Sequence, residues 1–127
     1  MAELTLELEQ FEKGDFLCWE VLTQCQNTCT VTLQSGGTNY FTCNKNNSST
    51  NLQVLAQSSS SHSSTNVPKL TISVPQASRL QQSLISGAVN DSRARKVGYS
   101  YSVCIEDSND DDYNDVYVNI VGWKNKG

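Results

Sequence analysis

Carboxylates are concentrated in one short stretch of the chain, from Glu106 to Asp115. Six of the 13 acidic residues lie within these ten positions, whereas the remaining seven are outnumbered by nine Lys and Arg residues. Two like charges about 4 Å apart cost on the order of 1 kcal/mol in water, and several times more near a protein surface. A charge density of this kind favours a hard divalent cation, because such an ion would neutralise it.

The spacing of oxygen-bearing side chains within this acidic stretch suits calcium. Asp110, Asp112 and Asn114 lie two residues apart, which presents alternate side chains on one side of an extended loop. Glu106 and Asp115 add further oxygens. Calcium accepts about six to eight oxygen ligands in loose geometry. The stretch is therefore predicted to be a calcium site.

This stretch has two alternative interpretations. An EF-hand beginning at Asp110 does not fit, because its sixth position would be Asp115 instead of Gly and its twelfth Val121 instead of Glu. The flanking residues also alternate like strands instead of following a helical period. The second alternative is a solvated acidic hairpin loop with no specific ligand.

The elements that must position this stretch are predicted to be strands. Apolar residues alternate with polar ones before it, over Val97 to Ile105, and after it, over Val116 to Ile120. Cys29 to Gln34 and Thr38 to Cys43 flank a Gly-Gly turn and predict a hairpin. About eight or nine such segments and no secure helix indicate an all-β chain, an antiparallel β-sandwich or small barrel. The length fits a single domain covering residues 1–127. The other predicted strands cover Leu4 to Leu8, Phe16 to Leu22, Leu52 to Ala56 and Leu70 to Val74.

The remaining segments lack a clear strand pattern. Gln57 to Asn66 is nearly all Ser and predicts a flexible loop, in which His62 has no neighbouring carboxylate to orient it for acid–base chemistry. Ser78 to Ile85 fits a helical turn or a strand about equally. Gly87 and the run Asn90 to Ser92 predict turns.

Composition excludes several classes of partner. The only basic cluster is Arg93, Arg95 and Lys96, which is too short to bind nucleic acid in a chain of net charge -4. No apolar stretch is long enough to insert into a membrane. The N-terminus has neither the basic nor the apolar region of a signal peptide, so a soluble protein without a cleaved leader is expected. Whether it stays in the cytoplasm or is exported by another route is left open.

Five cysteines occur, an odd number that leaves at least one thiol unpaired in a monomer. Without a leader peptide, free buried thiols are expected. No Cys-x-x-Cys pair is present and His62 is the only histidine, so a zinc site is not predicted.

The acidic stretch and the residues after it resemble the C-terminal part of the sequences of a known protein family. The pattern Glu106-Asp107-x-x-Asp110-x-Asp112-Tyr113-Asn114-Asp115, followed by an apolar strand, a Trp and a terminal Gly, looks like the fucose-binding lectin II family. These bacterial lectins bind fucose or mannose through two adjacent calcium ions. The Lys69 to Val74 segment also resembles a mid-chain strand of the family.

The resemblance implies a nine-stranded antiparallel sandwich with two calcium ions at one site. It implies a homodimer or a higher homo-oligomer, in which the terminal carboxylate of Gly127 reaches a neighbouring subunit's calcium. It also implies an early-loop Asn ligand, for which Asn27 is the candidate and Gln24 the competitor. The implied roles are calcium ligation by Glu106, Asp110, Asp112 and Asp115 for one ion, ligation by Asp112, Asn114 and Asp115 for the other, and sugar contacts by Asp107, Asp110, Asp112 and Asp115.

The expected function is therefore calcium-dependent binding of fucose- or mannose-containing glycans by a lectin that is not an enzyme. A calcium-stabilised structural or adhesion module without sugar binding is the alternative from another class. A glycosidase is not expected, because metal binding would keep clustered aspartates ionised, whereas acid–base catalysis needs two carboxyls with separated pKa values. No catalytic residue is predicted.

Overall fold

The computed structural model describes residues 1–107 and 115–124, and these residues form nine β-strands. Within the described residues no helix is present, so none could cross a membrane. The strands are β1 (Ala2–Glu7), β2 (Phe16–Thr23), β3 (Cys29–Ser35), β4 (Thr38–Lys45), β5 (Gln53–Ser61), β6 (Lys69–Val74), β7 (Gln81–Asn90), β8 (Lys96–Glu106) and β9 (Val116–Trp123).

The strands form two sheets. One sheet has four strands in the order β1-β6-β3-β4, and the other has five in the order β5-β2-β9-β8-β7. Every neighbouring pair is antiparallel. The predicted antiparallel β-sandwich is thus confirmed, and so is the hairpin of β3 with β4.

Alternation of side chains places one face of each sheet in a shared core. In β9, Val116, Val118 and Ile120 are buried, while the residues between them are half-buried on the other face. β2 alternates in the same way, and its Trp19 ring packs against Phe41 of the opposite sheet with ring centroids 5.2 Å apart. This strict period of two explains why the alternating segments could be recognised in the sequence.

The serine-rich segment is not a flexible loop, and that expectation was wrong. Its first half belongs to β5, which pairs with β2 along the edge of the larger sheet. Serine can occupy an edge strand because much of this strand is exposed and the ladder is made by the backbone. His62 follows the strand and is buried, with its Nδ1 atom 2.6 Å from the Tyr40 hydroxyl.

The ambiguous segment after Ser78 is a strand from Gln81 onward. Gly87 lies within β7 instead of at a turn, because β7 continues to Asn90 alongside β8. The turn predicted at Asn90 to Ser92 is present. There the Asp91 carboxylate accepts hydrogen bonds from the backbone amides of Arg93 and Arg95, at 2.8 and 3.0 Å.

None of the five cysteines, all of which lie in the described part of the chain, forms a disulfide bond. Cys25, Cys29 and Cys43 are buried, and Cys18 and Cys104 are half-buried. Burial raises the pKa of the Cys43 thiol to about 11.

Candidate metal and ligand site at one end of the sandwich

The two flanks of the acidic stretch meet at the centre of the larger sheet. β8 ends at Glu106 and β9 begins at Val116, and Ile105 pairs with Val116 across the ladder. On the other side of β9, Thr23 at the end of β2 also pairs with Val116. The loop that follows β2 therefore reaches the same end of the sandwich as the acidic residues.

Asp115 is held by bonds to its side chain and to its backbone. Its Oδ2 accepts a hydrogen bond of 2.8 Å from the Asp107 amide. Its carbonyl oxygen accepts one from the Thr23 hydroxyl and another, of 3.2 Å, from the Gln24 amide. Asp115 is buried, with only 9% of its surface exposed. Because these bonds come from Thr23 and Gln24 as well as from Asp107, its position is fixed by β2 and by its own hairpin.

Asp107 joins the acidic residues to the loop after β2. Its Oδ2 accepts hydrogen bonds from the Asn27 side-chain amide at 2.9 Å and from the Cys25 thiol at 2.8 Å. The Thr23 hydroxyl accepts a bond of 3.0 Å from the Cys25 amide, which fixes the start of this loop. Residues about 80 positions apart in sequence thus form one polar cluster.

Two acidic residues of this cluster, Glu106 and Asp115, are buried, and Asp107 between them in the cluster is half-buried. Glu106 is fully buried. Burial, the interaction with Glu106 and the nearby Asp107 carboxylate hold the pKa of the Asp115 carboxyl far above its ordinary value. Burial and the Asp107 hydrogen bond also raise the pKa of the Cys25 thiol. Anionic groups that are forced this close together in a desolvated site favour either a proton or a cation.

The donors suit a hard cation better than a soft one. One ligand atom each from Cys25, Asp107 and Asp115 lie within 4.8 Å of one another. Carboxylate and carbonyl oxygens are ligands of calcium and magnesium, whereas the Cys25 thiol with its raised pKa remains protonated and serves as a hydrogen-bond donor. The residues that the structure describes at this site therefore fit a calcium ion.

The structure brings together four of the predicted site residues: Asn27, Glu106, Asp107 and Asp115. Asn27 contacts Asp107 through its side chain, and its competitor Gln24 contacts Asp115 through its backbone and the Tyr117 hydroxyl through its side chain, at 3.0 Å. Both residues lie at the site, and the assignment of the early-loop ligand to Asn27 stays a prediction. The remaining predicted ligands lie outside the described residues: Asp110, Asp112, Asn114 and Gly127.

Two contributing residues were missed in the sequence. Thr23 and Cys25 hold the site through the carbonyl of Asp115 and the carboxylate of Asp107. No local pattern marks them, because their role depends on the pairing of β2 with β9. The only signal was their proximity to Asn27.

Three solved lectin structures share this architecture. A high-affinity mannose-binding lectin of Ralstonia solanacearum has a TM-score of 0.65 at 17% sequence identity, over 97% of this chain and 96% of that one. The C-terminal domain of a Burkholderia cenocepacia lectin has a TM-score of 0.65 at 19% identity, over 97% and 96% of the chains. A Chromobacterium violaceum lectin in complex with alpha-methyl-fucoside has a TM-score of 0.62 at 20% identity, over 97% and 96%. The chain has the fold of these lectins.

The similarity to this lectin fold is structural. No protein-family model matches the chain, and no curated protein matches it in sequence. The predicted resemblance to bacterial fucose- and mannose-binding lectins is confirmed at the level of the fold.

Proposed function

We propose that this protein is a calcium-dependent carbohydrate-binding protein, and that its sugar site is the acidic end of the sandwich. One observation carries the proposal: the buried carboxylates of Glu106 and Asp115 lie beside Asp107, in a fold that solved sugar-binding lectins share. Burying like charges without a compensating cation is costly, so this arrangement favours a bound metal.

The number of calcium ions is part of the proposal. The ten-residue acidic stretch carries six carboxylates, and two calcium ions would leave it at a charge of about -2. In the proposed arrangement Glu106, Asp107 and Asp115 belong to the same site as Asp110, Asp112 and Asn114. A slightly anionic site of this kind suits a neutral polyol better than an acidic sugar.

Sugar hydroxyls are the proposed ligands. We propose that vicinal hydroxyl groups replace water on calcium and that Asp107 accepts a hydrogen bond from the same sugar. One solved neighbour is a mannose-binding lectin and another was solved with alpha-methyl-fucoside, which supports fucose- or mannose-type sugars as the class to test. Charge-assisted hydrogen bonds to carboxylates would strengthen contacts that are otherwise weak for sugars.

A glycan array with calcium, repeated with a chelator, tests the proposal. We expect binding to fucosylated or mannosylated glycans in calcium and its loss in chelator, restored by added calcium. Calorimetric titrations with methyl fucoside and with methyl mannoside would rank the affinities for the two sugars. A folded protein that gains thermal stability from calcium and binds no glycan would instead be a calcium-stabilised structural module.

A homodimer or higher homo-oligomer is proposed with this function. Single sugar sites bind weakly, and several sites on one assembly gain avidity on a glycan surface. Sedimentation equilibrium with and without calcium measures the oligomeric state. A monomer at micromolar concentration under both conditions would remove oligomerisation from the proposal without affecting sugar binding.

The proposed function is not enzymatic. The three solved structures described above are lectins, and we assign the carboxylates of the site to a cation and to sugar hydroxyls instead of to acid–base catalysis. Release of reducing sugar from a glycan that the array identifies would contradict this assignment.

A further inference from the structure

Lys45, the last residue of β4, is buried on the core side of its strand. Only 1% of its surface is exposed, although lysine is almost never fully buried without a charged partner. Its ammonium group donates a hydrogen bond to the carbonyl oxygen of Asn47. Across residues 1–107 and 115–124, none of the ion pairs includes Lys45. The described part of the chain thus holds a buried positive charge without a carboxylate in contact.

The buried ammonium lies at the acidic end of the sandwich. Lys45 is directly opposite Cys29 in the β3–β4 ladder, and both side chains face the core. Directly opposite residues have Cβ atoms about 5 Å apart. Cys29 follows Asn27 by two residues, and Asn27 bonds to Asp107.

The Cys29 thiol is influenced by charges from both sides. Burial raises the pKa of Cys29 most, and the ammonium of Lys45 and the carboxylate of Asp107 act on the same thiol in opposite directions. The geometric link is independent of this titration: Cys29 pairs with Lys45 in the ladder, and it follows Asn27, whose side chain donates to Asp107.

We propose that Lys45 is a fixed cation of the acidic site, which offsets part of its carboxylate charge and thereby weakens the binding of divalent cations. This inference rests on the proposed function, because it concerns how tightly the same site holds calcium. In this proposal Lys45 acts on the site through its charge and is not itself a ligand of the metal or of the sugar. The lysine stabilises the metal-free protein at the expense of calcium affinity.

The size of the effect follows from Coulomb's law. For a divalent ion and an ammonium on the order of 10 Å apart, with an effective dielectric constant of about 40 to 80, removing the lysine tightens calcium binding by roughly 4- to 16-fold. Because the ammonium is buried, salt should screen this effect less than it screens a surface charge.

The test compares Lys45→Met with Lys69→Met by calcium titration in a calorimeter. Lys69 carries the same charge but is half exposed and paired with Glu7. It lies opposite Gln34, which is at the far end of β3, roughly 17 Å along the strand from Cys29. We expect tighter calcium binding in Lys45→Met and no change in Lys69→Met. Lys45→Arg keeps the charge and should retain the native affinity. Equal affinity in Lys45→Met and the native protein would overturn the inference.

Thermal unfolding gives a second readout that does not depend on sugar. A cation that binds more tightly to the folded state raises the melting temperature more, so the difference between calcium and chelator should grow in Lys45→Met. If Lys45→Met does not fold, Lys45→Gln takes its place. A loss of stability that is equal with and without calcium would make Lys45 a purely structural residue. Absence of calcium binding in the native protein would instead contradict the proposed function itself.

Discussion

The backbone amide of Asp107 donates a hydrogen bond of 2.8 Å to the carboxylate of Asp115, eight residues further along the chain. This bond joins the two ends of the acidic stretch where β8 and β9 separate. It fixes the Oδ2 atom of Asp115 on the backbone of Asp107. The bond therefore defines which variants of Asp115 should disturb the charge and which should disturb the geometry.

Asp115→Asn removes the charge and keeps an oxygen that can accept the bond from Asp107. We expect calcium binding to weaken by roughly 10- to 100-fold or more, with the fold retained. Calorimetry measures the affinity, and circular dichroism checks the fold. Glu7→Gln, an exposed position at the end of β1 opposite Lys69, removes one charge at the other end of the smaller sheet and serves as the control. Native calcium affinity in Asp115→Asn would exclude this carboxylate from the site.

Asp112→Ala tests the two-ion arrangement. Asp112 lies outside the described residues, and the family resemblance implies that it bridges both ions. Its loss should abolish sugar binding, because neither ion would keep its full set of ligands, while the core should be unaffected. Sugar binding of the variant is measured in calcium. Its melting temperature in chelator is compared with that of the native protein to check the core. If the variant still binds sugar, the site does not depend on two bridged ions.

The cysteines should react in two groups. Burial keeps Cys25, Cys29 and Cys43 from solvent and raises the pKa of each thiol, so little thiolate forms near neutral pH. Cys18 and Cys104 are half-buried and should be alkylated first. Mass spectrometry after brief iodoacetamide treatment reports the order, and denatured protein is the control in which all five react. Early labelling of Cys25 in the folded protein would contradict its burial beside Asp107.

His62 should make the protein sensitive to mild acid. Burial lowers the pKa of His62 below 6.5, although Asp15 acts in the opposite direction. The unfolded chain then binds the proton more readily than the folded one, so the contribution of His62 to stability is present above about pH 6.5 and is lost as pH falls through the folded-state pKa. The Tyr40 hydroxyl bonded to Nδ1 ties this titration to β4.

The free energy of unfolding, measured between pH 7.5 and pH 4.5 for the native protein and for His62→Gln, isolates this contribution. The difference between the two proteins should shrink as pH falls, because only the native protein must give up a neutral imidazole. The comparison is best made in chelator, so that calcium binding does not add its own pH dependence. A difference that stays constant over this range would show that His62 is not the titrating group.

The sequence predicted the fold through its strict alternation and the site through its charge. Leu4, Leu6 and Leu8 and the run from Val97 to Ile105 could be recognised because one face of each strand is buried. The serine half of β5, from Gln57 to Ser61, could not be recognised, since an edge strand made of serine is stabilised by backbone pairing with β2, which leaves no mark in composition. Within strands, the alternating pattern was the decisive signal.

The parts of the site that were missed depend on tertiary contacts. Thr23 and Cys25 reach the acidic residues only because β2 pairs with β9. Lys45 is another example, because a lysine at the end of a strand is expected in solvent, whereas here it occupies a core position beside Cys29. A local pattern predicts the charge of a residue, and only the packed fold shows what surrounds that charge.

The order of strands in the larger sheet has a consequence for folding kinetics. β8 and β9 are sequence neighbours that pair at the middle of this sheet, and six of the chain's 13 acidic residues lie from Glu106 at the end of β8 to Asp115 just before β9. Short hairpins of this kind close early, because little chain entropy is lost, but here like charges oppose the closure. Calcium in the refolding buffer should therefore speed folding as well as enable binding. A cell compartment poor in calcium would then delay the maturation of the protein.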